Sequence, residues 1–177
     1  YVAGVAFGTS VIGMPADEQK ILMSKSINTE LCKITEDLVF TEPYDDIGRN
    51  SVLPANEVDS QALANDALMI HAMGEAKWKF MTNAEALIHG DLHTGSVMVR
   101  ALNGDQGPSL AMAFDSEFSL YGPIAFDIGA LWANYTLAAA RAVALGNVEF
   151  AEWVLSLVGK TWDAFEKRFS QLYESRL

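Results

Sequence analysis

Over most of this chain apolar residues return every three or four positions, the spacing that gives a helix one dry face. "PADEQKILMSKS" (15–26) reads as a helix, with Pro15 early and acids in the first turn. Asn28 is placed to cap a second helix through "TELCKITEDLVF". "TEPYDDIGRNS" is a polar turn. A long helix is expected over roughly 59–81, capped by Asp59 or Ser60, with Leu63, Ala67, Ile70, Trp78 and Met81 on one face. Gly74 is the missing step on that face. It weakens a helix by about 1 kcal/mol relative to Ala and leaves room for a neighbouring element to approach. His71, on the same helix, reads as a structural or surface histidine.

The period then shortens. "EALIH" is a short apolar run, "SVMVRAL" is valine-rich and partly alternating, "LNGDQGPS" has turn chemistry, and "LAMAFD" is a second strand. Together they predict a β-hairpin set among helices. "SEFSLYGP" is expected as a loop, followed by an apolar helix over 125–145 that starts near Asp127. The last helix begins at Asn147 and sets Phe150, Val154, Val158, Trp162, Phe165, Phe169 and Leu172 along one stripe. Trp132, Tyr135, Trp153 and Trp162 are expected in the core. The fold class is therefore α+β, mostly helical with one small hairpin.

Composition narrows the function. Half of the 177 residues are apolar, enough for a sizeable core in one domain or one large lobe. The net charge of −11 argues against a nucleic-acid partner, whose phosphates would be repelled, but not against a phosphorylated small molecule beside a bound cation. One cysteine, Cys32, allows no disulfide within the chain and suits a reducing cytoplasm; it reads as a small buried apolar residue. The richest apolar run, "IGALWANYTLAAARAVALG", carries Asn134 and Arg141 and reads as a buried helix rather than a membrane span. The chain opens on Tyr1 and stops in "QLYESRL" while a helical pattern is running, as expected of a fragment truncated at both ends.

The unusual chemistry lies at the ends of the hairpin. "LIHGDLHTGSVMV" (87–99) packs His89, Asp91 and His93 into five residues, with Ser96 following. Asp115 and Glu117 follow the second strand. A hairpin brings its outer ends together, so Asp91 is expected near the Asp115/Glu117 pair. In an extended segment residues i and i+2 point the same way, so both of those carboxylates are expected to face one hard cation. Asp91 follows Gly90, which permits a sharp turn, and can accept a proton from a substrate hydroxyl as that oxygen attacks phosphorus. Ser96 can add a weak oxygen ligand. His89 is expected to hold the loop by hydrogen bonds to backbone. His93 lies closer to substrate, with a scaffold role favoured. Asp127 can cap its helix or brace the loop.

"HGDLHTGS" resembles the catalytic loop of the aminoglycoside phosphotransferase and choline kinase group, in which Asn is usual at the last position. With Ser96, "DSEFSLYGPIAFDIGALWANYTLA" and "NTELCKITEDLVFTEPY", the likeness within that group is to the methylthioribose kinases, over nearly the whole chain. The resemblance implies a protein-kinase-like fold in which residues 1–177 form a single region, the mostly helical C-lobe. It implies transfer of the ATP γ-phosphate to O1 of methylthioribose in methionine salvage, with Mg²⁺, in a cytoplasmic homodimer. Asp91 would be the catalytic base and, with His93, would contact the sugar. Asp115, Ser116 and Glu117 would meet ATP, and Asp115, Glu117 and Ser96 the metal.

Several features depart from that pattern. Ser116 stands where Pro is expected, and "LNGDQGPS" lengthens the hairpin tip. No glycine-rich loop with its lysine is present: "GVAFGTS" has the wrong spacing for one. Late arginines that would neutralise the transferred phosphate have no obvious counterpart. The other kinases of the group are the alternative substrate classes. A metallophosphoesterase shares the Gly-Asp-x-His element but needs more than the three histidines present.

Overall fold

The computed structural model describes residues 1–45, 49–101 and 109–177. The tip segment 102–108 and residues 46–48 of the polar turn lie outside the described residues. In chain order the elements are α1 (Val2–Thr9), α2 (Ala16–Lys25), α3 (Thr29–Phe40), α4 (Glu57–Ala64), α5 (Ala67–Thr82), β1 (Ala86–Ile88), β2 (Val97–Ala101), β3 (Ser109–Ala113), β4 (Leu120–Gly122), α6 (Ile124–Ala144) and α7 (Val148–Glu174). The class is α+β, as expected. Two compact units divide the chain: Asn28–Ala84, and Tyr1–Ile27 with Glu85–Leu177.

In the unit Asn28–Ala84 the single helix expected over 59–81 is two helices. The break is chemical. Asn65 donates its side-chain N–H to the Gln61 carbonyl at 2.7 Å, and Asp66 accepts from the N–H groups of Leu68 (3.0 Å) and Met69 (3.1 Å). Each side chain satisfies groups that a helix end leaves bare, so ending and restarting costs little. The inward face also differs from the expected one. Phe80 is buried on Phe40 with ring centroids 5.2 Å apart, and Lys77 reaches Glu36 (2.9 Å) and Thr41 (3.0 Å). These partners on and beside α3 turn Ile70, Trp78 and Met81 to solvent. A Cβ at Gly74 would meet nothing within 4 Å among the described residues, so no described element approaches it closely. Cys32 is half-buried, and burial followed by the Glu36 charge pushes its thiol pKa up, which disfavours the thiolate.

In the other unit, α1 is a helix that Gly4 and Gly8 hide from a propensity reading. It buries Ala3, Ala6 and Phe7 against β1 and α7, with Phe7 edge-on to Phe169 at 5.6 Å. The α6–α7 pair closes over Ala139, Ala142, Ala151 and Val154, with Tyr135 packed beside them. Asn147 caps α7 as expected, accepting from the Phe150 N–H at 3.2 Å. Its stripe holds for Val154, Val158, Phe165, Phe169 and Leu172, whereas Phe150 and Trp162 lie at its exposed margin. Trp153 is not core: it is exposed, one position out of phase with buried Val154, and it packs on Phe150. Trp132 is half-buried and meets Trp162 at 6.1 Å.

The expected hairpin is present as β2 and β3, paired antiparallel from Val97–Ala113 to Ala101–Ser109. "SEFSLYGP" is not wholly loop, since β4 within it pairs antiparallel with β1 through Ala86–Gly122, Leu87–Tyr121 and Ile88–Leu120. A three-residue ladder is too short to show alternation in sequence. Thr9 at the end of α1 secures it, its hydroxyl accepting the Leu87 N–H (2.9 Å) and its carbonyl the Tyr121 hydroxyl (2.9 Å).

Candidate active site

The two ladders are nested. The chain runs from β1 through 89–96 into β2, and from β3 through 114–119 into β4. Pairing of inner and outer strands therefore sets the two loops face to face. Cross-links hold them there. The Phe114 N–H donates to the Ser96 carbonyl at 3.0 Å, and the Ser119 hydroxyl to the His89 carbonyl at 3.4 Å. His89 is buried and spans both loops. Its Nδ1 accepts the Asp91 N–H at 3.4 Å, which leaves the ring proton on Nε2, 2.9 Å from the Phe114 carbonyl. This is the backbone-holding role expected for His89.

Gly90 is required twice at this junction. Its φ of 82° is a conformation that side chains disfavour, and a Cβ there would fall 2.2 Å from the Phe118 carbonyl oxygen. The next residue, Asp91, leaves its side chain 53% exposed. Its carbonyl accepts the His93 N–H (3.1 Å) and the Ser96 hydroxyl (3.1 Å), so the backbone is tied while the carboxylate stays open. Ser96 itself is buried.

Asp127 settles between its two expected roles in favour of the brace. It makes no cap bond; Pro123 stands at the cap position of α6. The carboxylate is buried and accepts the N–H of His89 at 2.7 Å and of Gly90 at 3.0 Å. Burial pushes its pKa above the ordinary carboxylate range, and the two N–H groups offset part of that rise.

Asp115, Ser116 and Glu117 are all exposed on the facing loop. Their local geometry differs from the extended segment expected. Asp115 takes a left-handed conformation (φ 64°, ψ 50°), and Ser116–Phe118 form a 3₁₀ turn, so the alternation argument for the two carboxylates does not apply. Among the described residues no three His, Cys, Asp or Glu side chains are grouped to hold a metal ion. Asp115 is the one non-glycine with positive φ among the described residues, a departure that clusters at functional loops. Two exposed carboxylates on such a loop offer oxygen ligands of the kind a hard divalent cation takes alongside water and phosphate oxygens.

Three contributors escape a sequence reading. Asn134 on α6 accepts the Thr94 hydroxyl at 3.3 Å, across forty positions of sequence. The Phe114 carbonyl serves His89, and nothing about a phenylalanine side chain announces a backbone role. Gly95 lies against the His93 ring: its N–H donates to Nδ1 at 3.0 Å, and a Cβ there would fall 2.6 Å from Cε1. The imidazole Nε2 then points towards Asp91 Oδ2, 3.7 Å away.

Residues 34–164 match the family model described as the phosphotransferase enzyme family. The chain is 39% identical to a methylthioribose kinase of Escherichia coli O45:K1, over 99% of this chain and 42% of that relative. It is 39% identical to one of Bacillus cereus over 98% of this chain and 41% of the relative, and 40% identical to one of Geobacillus kaustophilus over 99% and 41%. The chain thus spans about two fifths of the length of these curated relatives. It belongs to the phosphotransferase enzyme family.

Proposed function

We propose that this phosphotransferase-family chain carries the phosphoryl-transfer groups of an ATP-dependent kinase whose acceptor is the O1 hydroxyl of methylthioribose. The observation that carries the reading is the clamp of two facing loops, one presenting Asp91 and the other Asp115 and Glu117, tied by His89 and the Phe114 carbonyl. That is the arrangement a transfer needs, with a base on one side and phosphate-holding groups on the other. The printed names of the relatives support the acceptor.

On this reading the hydroxyl oxygen attacks the γ-phosphorus, the bond to the β–γ bridging oxygen breaks, and the hydroxyl proton passes to Asp91. Asp115 and Glu117 would hold Mg²⁺ with the ATP phosphates, and Ser116 lies between them at the same edge. Ser96 donates its proton to the Asp91 carbonyl, and on this reading its oxygen lone pairs would add a weak ligand to the same cation. The metal supplies charge neutralisation on the phosphates. The protein's own part is positioning, with Asp127 and His89 holding the loop so that Asp91 meets the hydroxyl. Residues 1–177 are then the C-lobe region of the fold. A homodimer in the cytoplasm, acting in methionine salvage, completes the proposal. No helix among the described residues is long and apolar enough to cross a membrane.

The test is phosphoryl transfer from Mg–ATP by the complete protein, with methylthioribose beside choline, homoserine and an aminoglycoside. Turnover of methylthioribose alone, lost in Asp91→Asn and Glu117→Gln, is the expected result. Turnover of another alcohol keeps the site and replaces the substrate. No turnover, despite bound Mg–ATP, overturns the enzymatic reading.

A further inference from the structure

We propose that His93 is a positioning residue for phosphoryl transfer: its Nε2–H holds one oxygen of the Asp91 carboxylate and leaves the other to receive the substrate proton. The inference rests on the kinase reading above and assigns a part to a residue outside the base and the metal pair.

Three observations converge on it. First, the Gly95 N–H donates to Nδ1 at 3.0 Å, so the neutral ring carries its proton on Nε2. Second, the ring packs closely on the backbone beside it. It lies over Gly95, where a Cβ would fall 2.6 Å from Cε1 and 2.9 Å from Nδ1. Third, Nε2 lies 3.7 Å from Asp91 Oδ2, with both side chains about half exposed. That separation is longer than a hydrogen bond. Closing it takes a shift of about 1 Å, of the kind that catalytic contacts undergo when substrate arrives. The backbone cannot supply the movement freely, because His93 N–H is held by the Asp91 carbonyl and the His93 carbonyl by the Ser96 N–H. Thr94 is pinned to Asn134 as well. Rotation of the half-exposed Asp91 carboxylate is the movement that remains, and on this proposal it brings acceptor to donor. A carboxylate held at one oxygen has its free oxygen aimed, which a freely rotating one does not.

The competing role is structural: His93 caps the Thr94–Ser96 turn through Nδ1 and does nothing else. Two substitutions separate the roles. In His93→Asn the amide oxygen lies where Nδ1 lies and can accept from Gly95, but nothing reaches Asp91. In His93→Gln the amide N–H lies where Nε2 lies and can reach Asp91, while the cap is lost. In the complete protein with Mg–ATP and its acceptor, His93→Asn is expected to lower kcat by about tenfold to a hundredfold at unchanged KM for ATP. His93→Gln should recover most of that loss. Equal kcat in the two variants, or a loss seen only in KM, overturns the proposal. Nitrogen-15 NMR of the imidazoles reads the same geometry without turnover. The expected signature is a His93 proton on Nε2 whose resonance moves in Asp91→Ala. A proton on Nδ1, or indifference to Asp91→Ala, overturns the proposal. A complete protein that transfers phosphate to no acceptor sinks the kinase reading instead, and the NMR result then decides the role of His93.

Discussion

The buried carboxylate of Asp127 holds the backbone N–H of His89 at 2.7 Å, and its second oxygen takes the N–H of Gly90 at 3.0 Å. One side chain of α6 thereby fixes the entry to the Asp91 loop. In Asp127→Asn the amide keeps one acceptor and turns its NH₂ on the other N–H, leaving a buried donor without a partner. The expected cost is about 1–3 kcal/mol of stability, with kcat lowered because Asp91 loses its placement. Urea unfolding and initial rates check this; an active, fully stable Asp127→Asn protein would contradict the brace.

The same carboxylate predicts a pH dependence. Burial raises the Asp127 pKa in the folded chain, with the His89 and Gly90 N–H groups opposing and the Asp91 charge adding to the rise. Between the unfolded value, about 4, and the higher folded one, the folded state holds a proton that the unfolded state has released. This contribution to stability is full below the unfolded value and is lost as pH rises through the folded one. The stability margin of the native chain over Asp127→Asn should therefore shrink as pH rises from the unfolded value through the raised folded one. Unfolding both proteins across that window gives the answer, and a growing margin would reverse the sign.

At Gly90 two penalties coincide, the positive φ and the 2.2 Å approach of any Cβ to the Phe118 carbonyl. Gly90→Ala should destabilise by about 2 kcal/mol or more, since the left-handed conformation alone costs roughly 1–2 and the neighbouring loop must also move. The facing loops would part, and activity should fall further than stability explains. Thermal midpoints and rates measured at a temperature where the variant is folded separate the two effects.

His89→Phe removes both ring bonds while filling similar space. The Phe114 carbonyl and the Asp91 N–H then lose their partner, which costs about 1–3 kcal/mol. A loss in kcat with little change in KM would mark a fault in the register of the two loops. Retained kcat would mean that the β1–β4 and β2–β3 ladders suffice to hold them.

Much of this was legible in the sequence where the signal was local. The polar cluster 89–96 interrupts an apolar strand, and such an interruption is hard to explain by packing alone. The helix expected over 125–145 is α6 (Ile124–Ala144), and Asn147 caps α7, because apolar period and cap chemistry agree there. Signals carried by distant partners were not legible. The inner face of α5 is chosen by Phe40 and Glu36 on α3. The strand β4 is chosen by β1, and the left-handed conformation of Asp115 leaves no mark in the local residue pattern. The split at Asn65–Asp66 could have been read, since Asp66 is a good cap, but the apolar spacing runs straight across it.

Gly74 makes the complementary prediction to Gly90, because the same residue type sits under opposite constraints. It lies within α5 at no positive φ, and a Cβ there meets nothing within 4 Å. Among the described residues its freedom serves no turn and no close approach, so its effect is the entropy lost when the helix orders it. Gly74→Ala should therefore stabilise by about 0.4–1 kcal/mol. Neither the Phe40–Phe80 contact nor the Lys77–Glu36 pair should change. A raised thermal midpoint with unaltered phosphoryl-transfer kinetics is the expected outcome. A lowered midpoint would mean that this face of α5 is covered by another surface, which the added methyl group would then obstruct.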